Sequence, residues 1–328
     1  MTDLYPLKFS PEFQYRLWGG RELGKIMDAP LPEGPIGEAW ILSDRADFSS
    51  KVAEGPLAGQ TLTQLMQSHR DAIMGDRPDK FGRFPLLLKF LDVQKMLSVQ
   101  VHPQDDKLDL LPAGEQGKTE AWMVLGASPG ARIYAGLKPG TSEANLRVLT
   151  NENADVYLAS FAPQVGQAVL VDAGTVHSIG DGVVVFEVQQ NSDMTFRLYD
   201  WNHVDAKTGK LRDLQVEQAL ACVDFETGPI LPQVPTLDSE APALIESLLE
   251  SAYFEVKRVT VDTPHAFGKF GEPKILVCGS GAGSFRMGAN AIAVGRGEVI
   301  LLPAAIGPQQ FTPESETMFF EIAIPGQR

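Results

Sequence analysis

Between Met96 and about residue 188 the chain advances in short apolar runs, each cut off after a few residues by Gly, Pro, Asn or Asp. Runs that short favour strands over helices, and the punctuation fits the turns between strands. Residues 97–102, 120–125, 131–135, 167–171 and 183–189 therefore read as strands. Residues 38–43 do so as well, and so does the run 86–92 behind Pro85. Helices are expected in few places. Leu62, Leu65, Met66 and Ile73 recur near helical spacing behind Thr61, which predicts a capped helix over 61–74. Shorter helices are expected at 142–149, 213–223 and 243–249. Pro229, Pro232 and Pro235 make 228–235 read as an extended linker, and strands return from Tyr253 onward.

One internal echo organises this pattern. The stretches 166–177 and 297–308 share an order: a glycine, an apolar strand, then a turn of small residues. The echo predicts a mainly β chain built as two jelly-roll β-barrel units with a few peripheral helices. Residues 1–227 form the unit with the functional site, 228–250 a linker and short helix, and 251–328 a degenerate second unit. Pro308 in the second unit stands where His177 stands in the first. A length of 328 residues is ample for two such units.

The formal charge is -14, from 28 basic and 42 acidic residues, which argues against non-specific nucleic-acid binding. An anionic substrate would have to be drawn in by a local basic pocket. The two cysteines, Cys222 and Cys278, fit buried core positions in a reducing compartment. No basic segment followed by an apolar run opens the chain, and no apolar stretch approaches the roughly 20 residues of a membrane span. These features predict a cytoplasmic protein without membrane or nucleic-acid partners. Oligomeric state is left open.

The chemistry concentrates in three segments. Gln100 and His102, two apart in a predicted strand, share a face. Glu120 opens an apolar run in which an unpaired carboxylate would be costly to bury. His177 follows the tight turn at Gly174. Two imidazoles, a carboxylate and an amide oxygen suit a borderline divalent metal such as zinc. Lone histidines more often sit satisfied in a core or at a surface, and His69, His203 and His265 fit that description. Lys89, Lys118 and Arg197 lie near the proposed ligands in sequence. Each alone reads as a surface ion pair; converging on a metal they would suit an anionic substrate.

The glutamate-bearing strand 120–126 and the segment 166–177 resemble the two sequence motifs of the cupin superfamily, with Asp172 in place of the usual proline. As an ordered set, Tyr15-Arg16-Leu17-Trp18-Gly19-Gly20, Gly37-Glu38-Ala39-Trp40, Lys89, Leu97-Ser98-Val99-Gln100-Val101-His102-Pro103, Lys118-Thr119-Glu120, Gly174-Thr175-Val176-His177 and 190–197 resemble the type I phosphomannose isomerases in their short bacterial form. The resemblance covers about the first two thirds of the chain. It implies a cupin fold and one Zn2+ per chain, held by Gln100, His102, Glu120 and His177. It implies interconversion of mannose 6-phosphate and fructose 6-phosphate through a cis-enediol. It marks Arg197 as the active-site arginine, and Trp18, Lys89, Ser98 and Lys118 as contacts to the sugar phosphate. Lys118 and Glu187 are rival bases, Glu187 being placed only by its spacing from Arg197. Two other readings stand beside this one. Two histidines and a carboxylate also fit an iron-dependent cupin oxygenase, and a sugar-phosphate-binding cupin without turnover would share the pocket.

Overall fold

The computed structural model describes residues 4–79, 82–107, 109–205, 208–288 and 290–326. Its centre is the strand Val183–Gln190, buried along its whole length. It runs antiparallel between Leu86–Val93 on one side and Glu120–Ala127 on the other. A strand covered on both faces needs an almost continuous apolar run. Val-Val-Val-Phe-Glu-Val-Gln-Gln and Leu-Leu-Leu-Lys-Phe-Leu-Asp-Val meet that need except at a few positions, which makes the buried Glu187 and Lys89 conspicuous.

These strands belong to a six-stranded sheet ordered Glu12–Gly20, Ile36–Leu42, Leu86–Val93, Val183–Gln190, Glu120–Ala127, Ala168–Val171. One face packs on a five-stranded sheet ordered Phe196–Tyr199, Val99–Val101, His177–Ile179, Ile133–Leu137, Leu158–Phe161. Leu91, Trp122, Val124 and Val185 meet Ile133, Ala135 and Ile179 in the core between them. The opposite face turns toward the C-terminal half, where Phe186 stacks on Phe320 at 5.3 Å between ring centroids. That half holds a seven-stranded and a four-stranded sheet around Phe267, Phe285, Phe311 and Phe319. Leu7–Lys8 pairs antiparallel with Val299–Leu302, so an early strand is sewn into a late sheet.

The mainly β reading holds, and the echo reaches local geometry. Gly166 and Gly297 take φ of 90° and 81°, left-handed values open to glycine, and each precedes an apolar strand. The helix Leu62–Met74 begins at Thr61, whose side chain accepts from the Gln64 backbone while Gln64 reaches back. Cys222 and Cys278 are free and buried. Among the described residues no helix is long and apolar enough to cross a membrane.

Other expectations are corrected. The helix expected at 243–249 is the strand Leu244–Glu250, paired antiparallel with Glu255–Val261. Seven residues of mixed character do not fix a period, and the neighbouring strand supplies the hydrogen bonds that decide it. The stretch 228–235 is no free linker, because the N–H groups of Ile230 and Gln233 donate to Ala135 O and Ala168 O at 3.1 and 2.7 Å. The helix at 142–149 contracts to Glu143–Leu146, and that at 213–223 to Val216–Cys222.

Phe320→Ala should cost about 3–5 kcal/mol by emptying the seam between the two halves. The urea midpoint reports it, and an unchanged midpoint would mean that the halves do not share this core.

Candidate active site

Directly opposed residues of an antiparallel pair place their side chains on one face. In the five-stranded sheet Arg197 and His177 both lie opposite Gln100 on its two neighbouring strands. In the six-stranded sheet Trp40, Lys89, Glu187 and Trp122 form a second row, with Glu120 opposite Gln189 two pairs along on the same face. These two rows bound a pocket of about 510 Å³, to which Trp18, Ser98 and Lys118 also contribute. Every residue singled out from the sequence converges here. Eight line the cavity, and His102 and His177 sit against Glu120. His69, His203 and His265 do not line it.

The imidazoles are set by their backs. His102 Nδ1 lies 2.8 Å from Met194 O, and His177 Nδ1 2.9 Å from Thr175 O. A carbonyl only accepts, so each Nδ1 carries the hydrogen and donates it. The neutral ring then has a bare Nε2. Neutrality is enforced by burial, which lowers both imidazoles. His102 falls to about 3, the Lys118 ammonium adding to burial against the pull of Glu120. Both bare nitrogens face one carboxylate, His102 Nε2 at 3.4 Å from Glu120 Oε2 and His177 Nε2 at 3.3 Å from Oε1. Lone pairs facing an anion at that range call for a cation among them.

Lys118 Nζ meets part of that need, 2.9 Å from Glu120 Oε2 and 3.2 Å from His102 Nε2. The Glu120–Lys118 approach is ionic only, since Oε2 is buried and accepts no well-directed hydrogen bond. The ligand atoms of His102, Glu120 and His177 all lie within 4.8 Å of one another, a spacing one metal ion could bridge. Gln100 presents its amide nitrogen to His177 Nε2 at 3.1 Å, while its oxygen accepts from Ser98 Oγ at 3.2 Å. As a ligand it must present the oxygen instead, a half-turn of the same amide.

Around this core the charges are paired. Burial would raise Glu120, but the Lys118 ammonium outweighs it and holds the carboxyl well below its ordinary value. Burial would lower Lys118, but Glu120, Glu187 and Asp193 raise it, so it stays an ammonium. Glu187 goes the other way. Burial and then the Glu120 charge push it to about 7 against Lys118 and Lys89. Trp122 Nε1 donates to Glu187 Oε2 at 3.0 Å and fixes its direction. Lys89 Nζ is enclosed by Asp193 at 3.2 Å, Glu187 at 3.8 Å and Glu38 at 3.9 Å. Arg197 differs, because its Nε is buried without a hydrogen-bond partner. Burial and the nearby Arg212 lower that guanidinium.

Among the described residues, the charged lining residues without a role in the sequence reading are Arg16, Glu38, Asp193, Asp205 and Arg212. Arg16 binds both oxygens of Glu38 at 2.8 and 3.0 Å, and Trp40 Nε1 donates to Glu38 at 2.6 Å. The signal available was position alone, since Arg16, Glu38 and Asp193 lie in the quoted family segments.

Comparison with known proteins then bears on the same residues. Residues 6–122 match the phosphomannose isomerase type I catalytic domain, a span that includes Gln100, His102 and Glu120 and stops before His177 and Arg197. Mannose-6-phosphate isomerase ManA of Bacillus subtilis (strain 168) is 34% identical over 308 residues, 92% of this chain and 94% of that protein. The chain belongs to the type I phosphomannose isomerases. Mannose-6-phosphate isomerase of Streptococcus mutans is 30% identical over 311 residues, covering 95% of this chain and 96% of its own. The crystal structure of the mannose 6-phosphate isomerase from Bacillus subtilis superposes with a TM-score of 0.86 at 27% identity, covering 96% of this chain and 99% of that one. A phosphomannose isomerase from Salmonella typhimurium, at 17% identity and a TM-score of 0.77, shares the fold over 98% of this chain and 100% of its own. In this phosphomannose isomerase chain, residues beyond the matched segment complete the pocket.

His102→Ala and His177→Ala should each abolish stoichiometric divalent-metal retention, read by elemental analysis after gel filtration. Full retention in both would remove the ligand assignment.

Proposed function

We propose that this chain interconverts mannose 6-phosphate and fructose 6-phosphate through a cis-enediol in a zinc-bound form. The observation that carries the metal is the pair of neutral imidazoles, each anchored through Nδ1–H to a backbone carbonyl and each turned on the same carboxylate. Nitrogen and oxygen donors of this kind favour zinc, with Gln100, His102, Glu120 and His177 as ligands and one ion per chain. When bound, the ion supplies Lewis-acid polarisation of the substrate oxygens.

The protein's own groups divide the remaining work. Glu187, raised to about 7, is suited to carry a proton between C2 and C1 at neutral pH. Its Oε2 is held by Trp122, which leaves Oε1 as the working oxygen. Lys118, kept charged, serves as a cation and proton donor to the oxygen on which charge develops. Arg197, with a buried and unpartnered Nε, orients the substrate or stabilises the enediolate. Lys89 and Ser98 contact the phosphate, which competes with the 39%-exposed Asp193 carboxylate for the ammonium. Trp18 packs on the sugar.

Charge supports an anionic substrate. Among the described residues five basic and five acidic side chains line the cavity, so a divalent ion leaves these with an excess of two positive charges. A phosphate monoester carries about two negative charges at neutral pH. On this reading residues 1–227 are the catalytic unit and 251–328 a second β unit that holds no metal, in a cytoplasmic enzyme; of the expected connection 228–250, Leu244–Glu250 belongs to the second unit's sheet.

A coupled assay with mannose 6-phosphate should show turnover that a chelator abolishes and zinc restores; no turnover with zinc present would refute the reading. Arg197→Ala should lower kcat by about 10²–10³-fold with metal content unchanged. Because Glu187 must be deprotonated to act, kcat/KM should rise with pH through a limb at or somewhat below about 7. Zinc shields the Glu120 charge and moves the limb downward. Glu187→Gln should remove the limb together with most of the rate, and a surviving limb would assign it to another group.

A further inference from the structure

The segment that brings Lys118 and Glu120 into the pocket forms no regular structure before residue 120. It is held from behind by a carboxylate outside the active site. Asp105 Oδ1 accepts from the Gly117 N–H at 2.8 Å. Asp105 Oδ2 accepts from Gln190 Nε2 at 3.2 Å and from the Tyr253 hydroxyl at 3.0 Å. Gln190 in turn grips Thr119. Its Oε1 accepts the Thr119 N–H at 2.9 Å, and its own N–H donates to Thr119 O at 3.1 Å. The neighbours of Lys118 on both sides are therefore fixed through one acid. Gly117 allows this close passage, since a Cβ there would lie 2.7 Å from the Asp105 nitrogen. Thr119 Oγ1 also accepts the Ala173 N–H at 3.1 Å, which ties the same segment to the turn before His177.

Tyr253 comes from the other half of the chain, 148 residues from Asp105. Its turn is rigid. The N–H groups of Tyr253 and Phe254 donate to Ser251 Oγ at 3.2 and 3.0 Å, and the Phe254 side chain is fully buried in the C-terminal core. Tyr253, Asp105 and Gln190 share one wall of a second cavity of about 300 Å³, separate from the catalytic pocket. A phenol presented by a fixed turn to an acid that steadies a ligand-bearing segment can transmit position between the halves.

We propose that Tyr253 is a positioning residue for the metal centre. Its hydroxyl, acting through Asp105 and Gln190, sets the placement of residues 117–120, so the C-terminal β unit governs metal retention in the catalytic one. The proposal rests on the reading of Glu120 as a metal ligand.

The test compares full-length, zinc-loaded variants for zinc release to a chelator, with kcat and KM at saturating zinc. Tyr253→Phe, which deletes one oxygen and keeps the ring, should release zinc roughly tenfold faster and lower kcat while leaving KM unchanged. Phe311→Leu, elsewhere in the C-terminal core, should lose thermal stability and keep the wild-type release rate. Asp105→Asn should reproduce the Tyr253→Phe release, and the double variant should add nothing, because both act along one path. Wild-type release by Tyr253→Phe would overturn the proposal, and so would equal acceleration by Phe311→Leu. If Tyr253→Phe does not fold, Asp105→Asn decides by the same readout. Glu120→Gln run alongside separates the two ideas. Its retention of zinc would sink the ligand reading, whereas its loss of zinc with normal release by Tyr253→Phe would sink the positioning role alone.

Discussion

A buried carboxylate between two neutral imidazoles governs this molecule. Glu120 is 1% exposed, and so are His102 and His177. Placing such a group in a core is expensive unless other charges answer it. The fold answers with backbone carbonyls that fix both rings, with Lys118 against one oxygen, and with a sheet register that brings Gln100 and Arg197 alongside. Two sheets are required because no single strand could supply donors from positions so far apart in sequence.

The same constraint explains why the surrounding acids behave differently. Glu38, beside the Lys89 ammonium and gripped by two nitrogens of the Arg16 guanidinium, stays ionised. Glu187 lies deeper among like charges, with an indole and the more distant Lys118 and Lys89 ammonium groups too weak to offset burial, and it rises. Two carboxylates in neighbouring rows thus acquire opposite tendencies from their partners alone, an arrangement suited to proton transfer.

Much of this was legible in the chain. Gln100 and His102 could be paired because strand periodicity is two, and Glu120 stood out as a charge in an apolar run. The capped helix behind Thr61 was readable because its apolar spacing spans several turns. What escaped reading depends on contacts that do not follow the chain. Nothing local marks Arg16 as the partner of Glu38, and the enclosure of Lys89 comes from carboxylates on three other segments. Leu244–Glu250 was misread because its fate is decided by the strand beside it. The choice between Lys118 and Glu187 could not be made without knowing which charges surround each.

The pairing of Leu7 with Leu301 has a consequence for how the chain is made. The first of these residues leaves the ribosome long before the second exists. The seven-stranded sheet therefore cannot close until Val299–Leu302 has been made, and its earliest strand must wait without a template. Closing so wide a loop is slow, and unpaired edges left waiting are prone to aggregate. Completion of this sheet thus waits on a strand made long after its partner.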